Sequence, residues 1–195
     1  MRAVLSHISD EELAERRAKG LDRRDEMWEG VLHMTPPPSV EHQRILDDLI
    51  FFLKQLPTAT RGTVRSGIGV FRADKDYRVP DLTFVRSGRE ALFHEAGIRA
   101  GGPDAVIEIR SPDDETYEKL PFFAAIGTRE VVVIDRDTKR VEIFRLAGLQ
   151  YVALQPDRDG WLMSEAMNIR FRRIDATPPR LVVEDVVDSS KRAEI

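Results

Sequence analysis

Apolar positions recur along the chain with two different periods, and the switches between them divide it into elements. Ser9-x-x-Glu12 has the form of a capping box, and Ile8, Leu13 and Ala14 give a modest apolar stripe, so a helix is predicted from Ser9 to near Gly20. Trp28 to Met34 alternates as a strand does, and Pro36-Pro37-Pro38 ends it. Ser39 then caps the clearest helix, over 39–56, where Ile45, Leu46, Leu49, Ile50 and Leu53 recur at helical spacing until Leu56-Pro57 stops them. Gly62 to Phe71 reads as one strand, and Asp74-Lys75-Asp76 as the turn into a second, Val79 to Val85. The polar stretch from Ser87 to Pro103 holds a short helical possibility at Arg89 to Ala96 and is broken by Gly101-Gly102-Pro103. Ala105 to Ile109 is a further apolar strand, and acids after Ser111-Pro112 open a helix expected over 115–126. From Glu130 the pattern is a β meander: Val131–Ile134, a turn at Asp135–Lys139, Val141–Leu146 and Tyr151–Leu154. Trp161-Leu162, Asn168 to Phe171 and Leu181 to Val183 are weaker strand signals.

At 195 residues the chain is long enough for one domain with a sizeable core. The expected division is a helical segment over 1–25, a domain over 26–187 and a frayed polar tail over 188–195. No apolar run is long enough to cross a bilayer and Met1 to Gly20 lacks a signal-peptide pattern, so no membrane partner is expected and a cytoplasmic location is the default. The absence of cysteine excludes disulfides, thiolate zinc sites and cysteine nucleophiles. A net charge of -4 argues against coating nucleic acid through bulk positive charge. Residues 61 to 89, however, carry seven cations (Arg61, Arg65, Arg72, Lys75, Arg78, Arg86, Arg89) against Asp74, Asp76 and Asp81, a candidate phosphate-facing edge or a solvated hairpin of mixed charge.

Two acids stand where an apolar strand has no ordinary place for a charge. Asp81 lies in Val79-Pro80-Asp81-Leu82-Thr83-Phe84-Val85, and Glu108 in Ala105-Val106-Ile107-Glu108-Ile109. An unpaired buried carboxylate costs several kcal/mol, so each is expected to be paired, hydrogen-bonded or bound to metal. Carboxylates on neighbouring strands suit Mg2+, which takes oxygen ligands and keeps waters for substrate. A nearby lysine can then orient or deprotonate the attacking water, or stabilise charge on a phosphate. Taken singly, Asp81 after proline could shape a turn, Glu108 could pair with Arg110 or Lys119, and Lys119 could be a solvated helix residue.

Pro80-Asp81, Glu108-Ile109-Arg110-Ser111-Pro112 and Lys119 together resemble the PD-(D/E)XK nuclease superfamily, specifically the Uma family, restriction-endonuclease-like proteins long filed as a bacterial domain of unknown function. Trp28-Glu29-Gly30-Val31-Leu32, Pro36-Pro37-Pro38, His42 and Val131-Val132-Val133-Ile134-Asp135 are similar to further parts of that outline, over roughly Glu26 to Leu146. The basic superfamily pattern has its lysine two residues after the second acid, where this chain has Arg110; the Uma-like pattern puts it on the following helix, where Lys119 stands.

The resemblance implies an α/β or α+β restriction-endonuclease-like domain: a mixed central sheet, the 39–56 helix on one face, the 115–126 helix on the other and an added β meander. It implies Asp81 and Glu108 as ligands of Mg2+ (or Mn2+), Lys119 as the catalytic lysine and Glu29 as a further acid near the metal. Arg110, which stays protonated, would clamp a phosphate. His42 would contact phosphate or water at the edge of the site, or is structural. The implied activity is endonucleolytic hydrolysis of DNA, with a homodimer as the means of cutting both strands. The alternative is a nuclease-fold domain without turnover that binds nucleic acid or a protein; hydrolysis of a small phosphate ester is a third reading.

Overall fold

The computed structural model describes residues 3–57 and 61–195, so the first two residues of the expected N-terminal segment lie outside the description. Strand β1 (Ala3–Leu5) leads to α1 (Asp10–Ala18), whose capping box is formed: Ser9 Oγ accepts the Glu12 N–H at 3.2 Å and the Glu12 carboxylate accepts the Ser9 N–H at 2.8 Å. Residues Trp28 to Met34, expected as one strand, are parts of a hairpin of β2 (Glu26–Trp28) and β3 (Val31–Met34). Its two turn residues, Glu29 and Gly30, both have positive φ (49° and 91°), as a type I′ hairpin requires.

Helix α2 (Val40–Lys54) forms where its stripe predicts, with Ile45, Leu46, Leu49, Phe52 and Leu53 buried. The strand expected over Gly62 to Phe71 is two, β4 (Gly62–Ser66) and β5 (Val70–Ala73), parted at Gly67, whose φ of 59° turns the chain into another sheet. There follow β6 (Asp76–Arg78), β7 (Leu82–Arg86), β8 (Phe93–His94), β9 (Gly97–Ile98) and β10 (Ala105–Arg110). The helical possibility at 89–96 is a single 3-10 turn, Glu90–Leu92. The 115–126 helix is shorter than expected: a 3-10 turn at Tyr117–Lys119 runs into α3 (Leu120–Ala125), because Pro121 supports a helix start but not its interior.

Strands β11 (Glu130–Asp135), β12 (Val141–Ala147) and β13 (Gln150–Ala153) make the meander, and β14 (Leu162–Ser164), β15 (Ile169–Ile174), β16 (Arg180–Asp185) and β17 (Arg192–Glu194) a third sheet. The tail expected to fray is thereby corrected in part: β17 pairs with β16 through Val183↔Ala193, and Ile195 is buried in the main core.

The central sheet runs β13-β12-β11-β10-β7-β4, antiparallel except for the parallel pair β10/β11, which the crossover through α3 connects. Alternation along β10 divides its side chains between two cores. Ala105, Ile107 and Ile109 pack with α2 and the third sheet; Val106 packs on the opposite face with Phe122 and Phe123 of α3. Glu108 shares the face of Val106, towards the α3 crossover. Strands β7 and β10 pair through Ile107↔Leu82 and then part, so one further step of the same register sets Asp81 opposite Glu108.

Candidate active site

A cleft of about 850 Å³ opens at this end of the sheet, bounded by Pro36–Pro38, the first turns of α2, Val79–Asp81 and Ser111–Thr116. Glu108 and Lys119 line it together with Asp81, His42 and Glu26. The Lys119 ammonium lies 3.1 Å from Glu108 Oε1 and 2.9 Å from Glu26 Oε1. Glu26 is fixed in turn by the Trp28 indole N–H at 2.8 Å and the Val79 N–H at 3.0 Å. Asp81 stands just ahead of β7. Its Oδ2 accepts the Ile109 N–H at 2.7 Å, replacing the ladder bond that β7 no longer offers, and its Oδ1 lies 3.0 Å from His42 Nε2.

The electrostatics follow from three acids around one cation. Burial pushes the Glu108 carboxyl up to about 8; Lys119 opposes this, and Asp81 and Glu26 add to it. Burial alone would depress the Lys119 ammonium, but Glu108, Glu26 and Asp81 outweigh it and hold its proton well above the usual lysine range. Glu26 is raised by burial and yet ends below the usual carboxylate range, because Lys119 and its other donors prevail.

The sequence-predicted residues divide into those brought together and those left apart. Asp81, Glu108, Lys119 and His42 converge. Glu29 does not: it is exposed at the tip of the β2/β3 hairpin and pairs with Arg72 at 2.9 Å. Glu26, three residues earlier, is the acid that reaches the lysine. Its signal was the two-residue period that carries an inward position back from Trp28, which starting the strand at Trp28 concealed. Arg110 shares the face of Glu108, but the parallel register places it beside Asp135, which captures it at 3.0 Å, and its guanidinium lies over Tyr117 rather than in the cleft. The cationic stretch over 61–89 is largely engaged: Arg61 with Asp185, Arg72 and Arg78 with Asp76, Lys75 with Asp10 and Arg89 with Asp104. Arg65 and Arg86 have backbone carbonyls as partners instead. His33 is a further ring beside the site, stacked on Trp28 at 4.2 Å and 2.9 Å from Glu115.

The donor set fits a hard divalent cation shared with water and substrate. Among the described residues no three His, Asp or Glu side chains form a cage of their own. Asp81 and Glu108, close enough for each to bear on the other's charge, offer the one or two carboxylates that Mg2+ commonly takes from a protein.

Known proteins resemble this chain both in sequence and in fold. The family model described as "Uma2: Putative restriction endonuclease" matches residues 10–173. A solved structure described as a putative nuclease belonging to DUF820, from Anabaena variabilis, is similar in fold at a TM-score of 0.59 and 20% identity, covering 73% of this chain and 82% of its own. No curated protein matches. Restriction-endonuclease-like families generally use divalent metals, and no helix among the described residues is long and apolar enough to cross a membrane.

Proposed function

The chain belongs to the Uma2 family, and from that premise we propose that it is a metal-dependent endonuclease hydrolysing phosphodiester bonds in DNA. The observation that carries this reading is the Lys119 ammonium held between Glu108 and Glu26 on the floor of a cleft that Asp81 also enters.

Asp81 and Glu108 are the residues that would hold Mg2+ or Mn2+, and the metal when bound would polarise the scissile phosphate and lower the pKa of an attacking water. His42 and the Ile109 N–H fix the Asp81 carboxylate from two directions. Lys119, kept charged by its two carboxylates, serves as an electrostatic group that orients water and stabilises the anionic transition state, not as a base. Within this reading DNA is the substrate, the cytoplasm the compartment, and a pair of copies the unit that cuts both strands.

The test is calorimetric titration of Mg2+ or Mn2+ into wild type and Asp81→Ala, with plasmid nicking assayed on the same samples. Metal binding and nicking lost together in the folded variant is the expected result. Undiminished nicking by Asp81→Ala, or neither property in folded wild type, sinks the proposal, and the latter favours a domain that binds without turnover.

A further inference from the structure

Of the four Lys and Arg side chains that line the cleft, two are committed. Lys119 is held by Glu26 and Glu108, and the Arg136 guanidinium is clasped by Asp137 at 2.8 and 2.9 Å. Arg23 and Arg24 differ. Both line the cleft, both are exposed, and among the described residues neither has a hydrogen-bond or ion-pair partner.

The chain arranges this freedom through their neighbours. The Asp25 N–H donates to the Asp22 carbonyl at 3.0 Å, closing a turn whose two central residues are Arg23 and Arg24. The acids at its ends would otherwise neutralise the arginines, but α1 removes them: the Arg16 guanidinium makes two bonds to Asp25 Oδ2, at 2.9 and 2.6 Å, and Arg17 faces Asp22 at 3.8 Å. Arg16 also donates to the Leu21 carbonyl at 3.3 Å, tying the turn's approach to the helix. A fixed turn therefore presents two uncompensated guanidinium groups at the mouth of a cleft whose floor is acidic. An anionic polymer repelled by that floor finds its attraction here, and the turn leads directly into Glu26, the residue that holds Lys119.

We propose that the Asp22–Asp25 turn is a phosphate-binding element, in which Arg23 and Arg24 grip backbone phosphates of the nucleic acid next to the bond to be cut. This rests on the nuclease reading of the same cleft and adds to it the residues that bring the substrate in. Helix α1, which buries none of its side chains, then has the role of a brace for this turn.

The experiment is fluorescence anisotropy of a short DNA duplex, with Ca2+ in place of Mg2+, across a salt series, on wild type, Arg23→Ala/Arg24→Ala, Arg23→Lys/Arg24→Lys and Arg158→Ala. Arg158 is exposed and lies outside the cleft, so it controls for bulk charge. The double alanine variant is expected to bind about tenfold more weakly at low salt, with the slope of log affinity against log salt shallower by about 2, roughly one for each phosphate that is no longer gripped. The lysine pair restores the slope, Arg158→Ala leaves it alone, and the loss in plasmid nicking falls on KM. Wild-type affinity and slope in the double alanine variant, or an equal loss in Arg158→Ala, overturns the proposal while leaving the nuclease reading intact. Wild type that neither binds nor nicks overturns both.

Discussion

His42 Nε2 stands 3.0 Å from Asp81 Oδ1, and the ring is delivered by the first turn of α2, where Ser39 Oγ caps the His42 N–H at 3.2 Å. The longest helix among the described residues therefore starts beside the candidate metal ligand, and within the proposed function its histidine would orient that carboxylate. Outer groups that orient a ligand typically contribute 10–100-fold to metal affinity. His42→Ala is thus expected to weaken Mn2+ binding by about tenfold or more with the fold intact, as read by calorimetry and circular dichroism. Unchanged affinity would show that Asp81 needs no such support.

Glu26→Gln tests the hold on Lys119. The amide keeps the shape and removes one of the two carboxylates facing the ammonium at 2.9 and 3.1 Å. Nicking should fall by about 10²-fold, on the scale of removing one preorganised electrostatic group, while Mn2+ binding through Asp81 and Glu108 persists. Equal losses in both measurements would make Glu26 a metal-binding residue instead.

Burial sets a pH dependence through Glu108. Its carboxyl is raised from 4.5 to about 8, so between those values the Glu26–Glu108–Lys119 cluster of the apo fold holds one proton more than the same groups of the unfolded chain. Its contribution to stability is therefore full below pH 4.5 and is lost as pH rises through 8. A metal ion must displace that proton, so Mn2+ affinity should climb by about tenfold per pH unit up to pH 8 and then level, with proton release visible in buffers of different ionisation enthalpy. A flat profile from pH 6 to 8 would place the metal away from Glu108.

Glu29→Ala separates this chain from the motif carried onto it. Glu29 is exposed at a hairpin tip and its pair with Arg72 is solvated, so loss of the side chain should change stability by no more than about 0.5 kcal/mol and leave nicking at the wild-type rate. A large loss of activity would return the residue to the site.

Sequence reasoning reached the parts governed by local period and failed where tertiary pairing decided. The stripe of α2, the meander from β11 to β13 and the apolar strand around Glu108 follow from spacing alone. Gly67, in contrast, gave no sign within one apolar stretch that β4 and β5 would join different sheets. Arg110 could not be placed because its partner, Asp135, lies on a strand whose register is set only by the crossover. The distance between Glu29 and the cleft comes from a missed turn: a hairpin reverses direction within two residues, and the acid that reaches Lys119 lies on the other side of it.

The lysine and the two acids ride on different elements. Asp81 and Glu108 are locked to each other by the register of β7 and β10, whereas Lys119 arrives from the turn ahead of α3, beyond the loop at Ser111–Thr116. Divergence in that loop can therefore lengthen or shorten the interval between second acid and lysine without disturbing the acids, provided the ammonium still lands on the α3 face of the sheet. Kinship among such chains is better sought in which face of β10 a basic group reaches than in any fixed number of residues between letters.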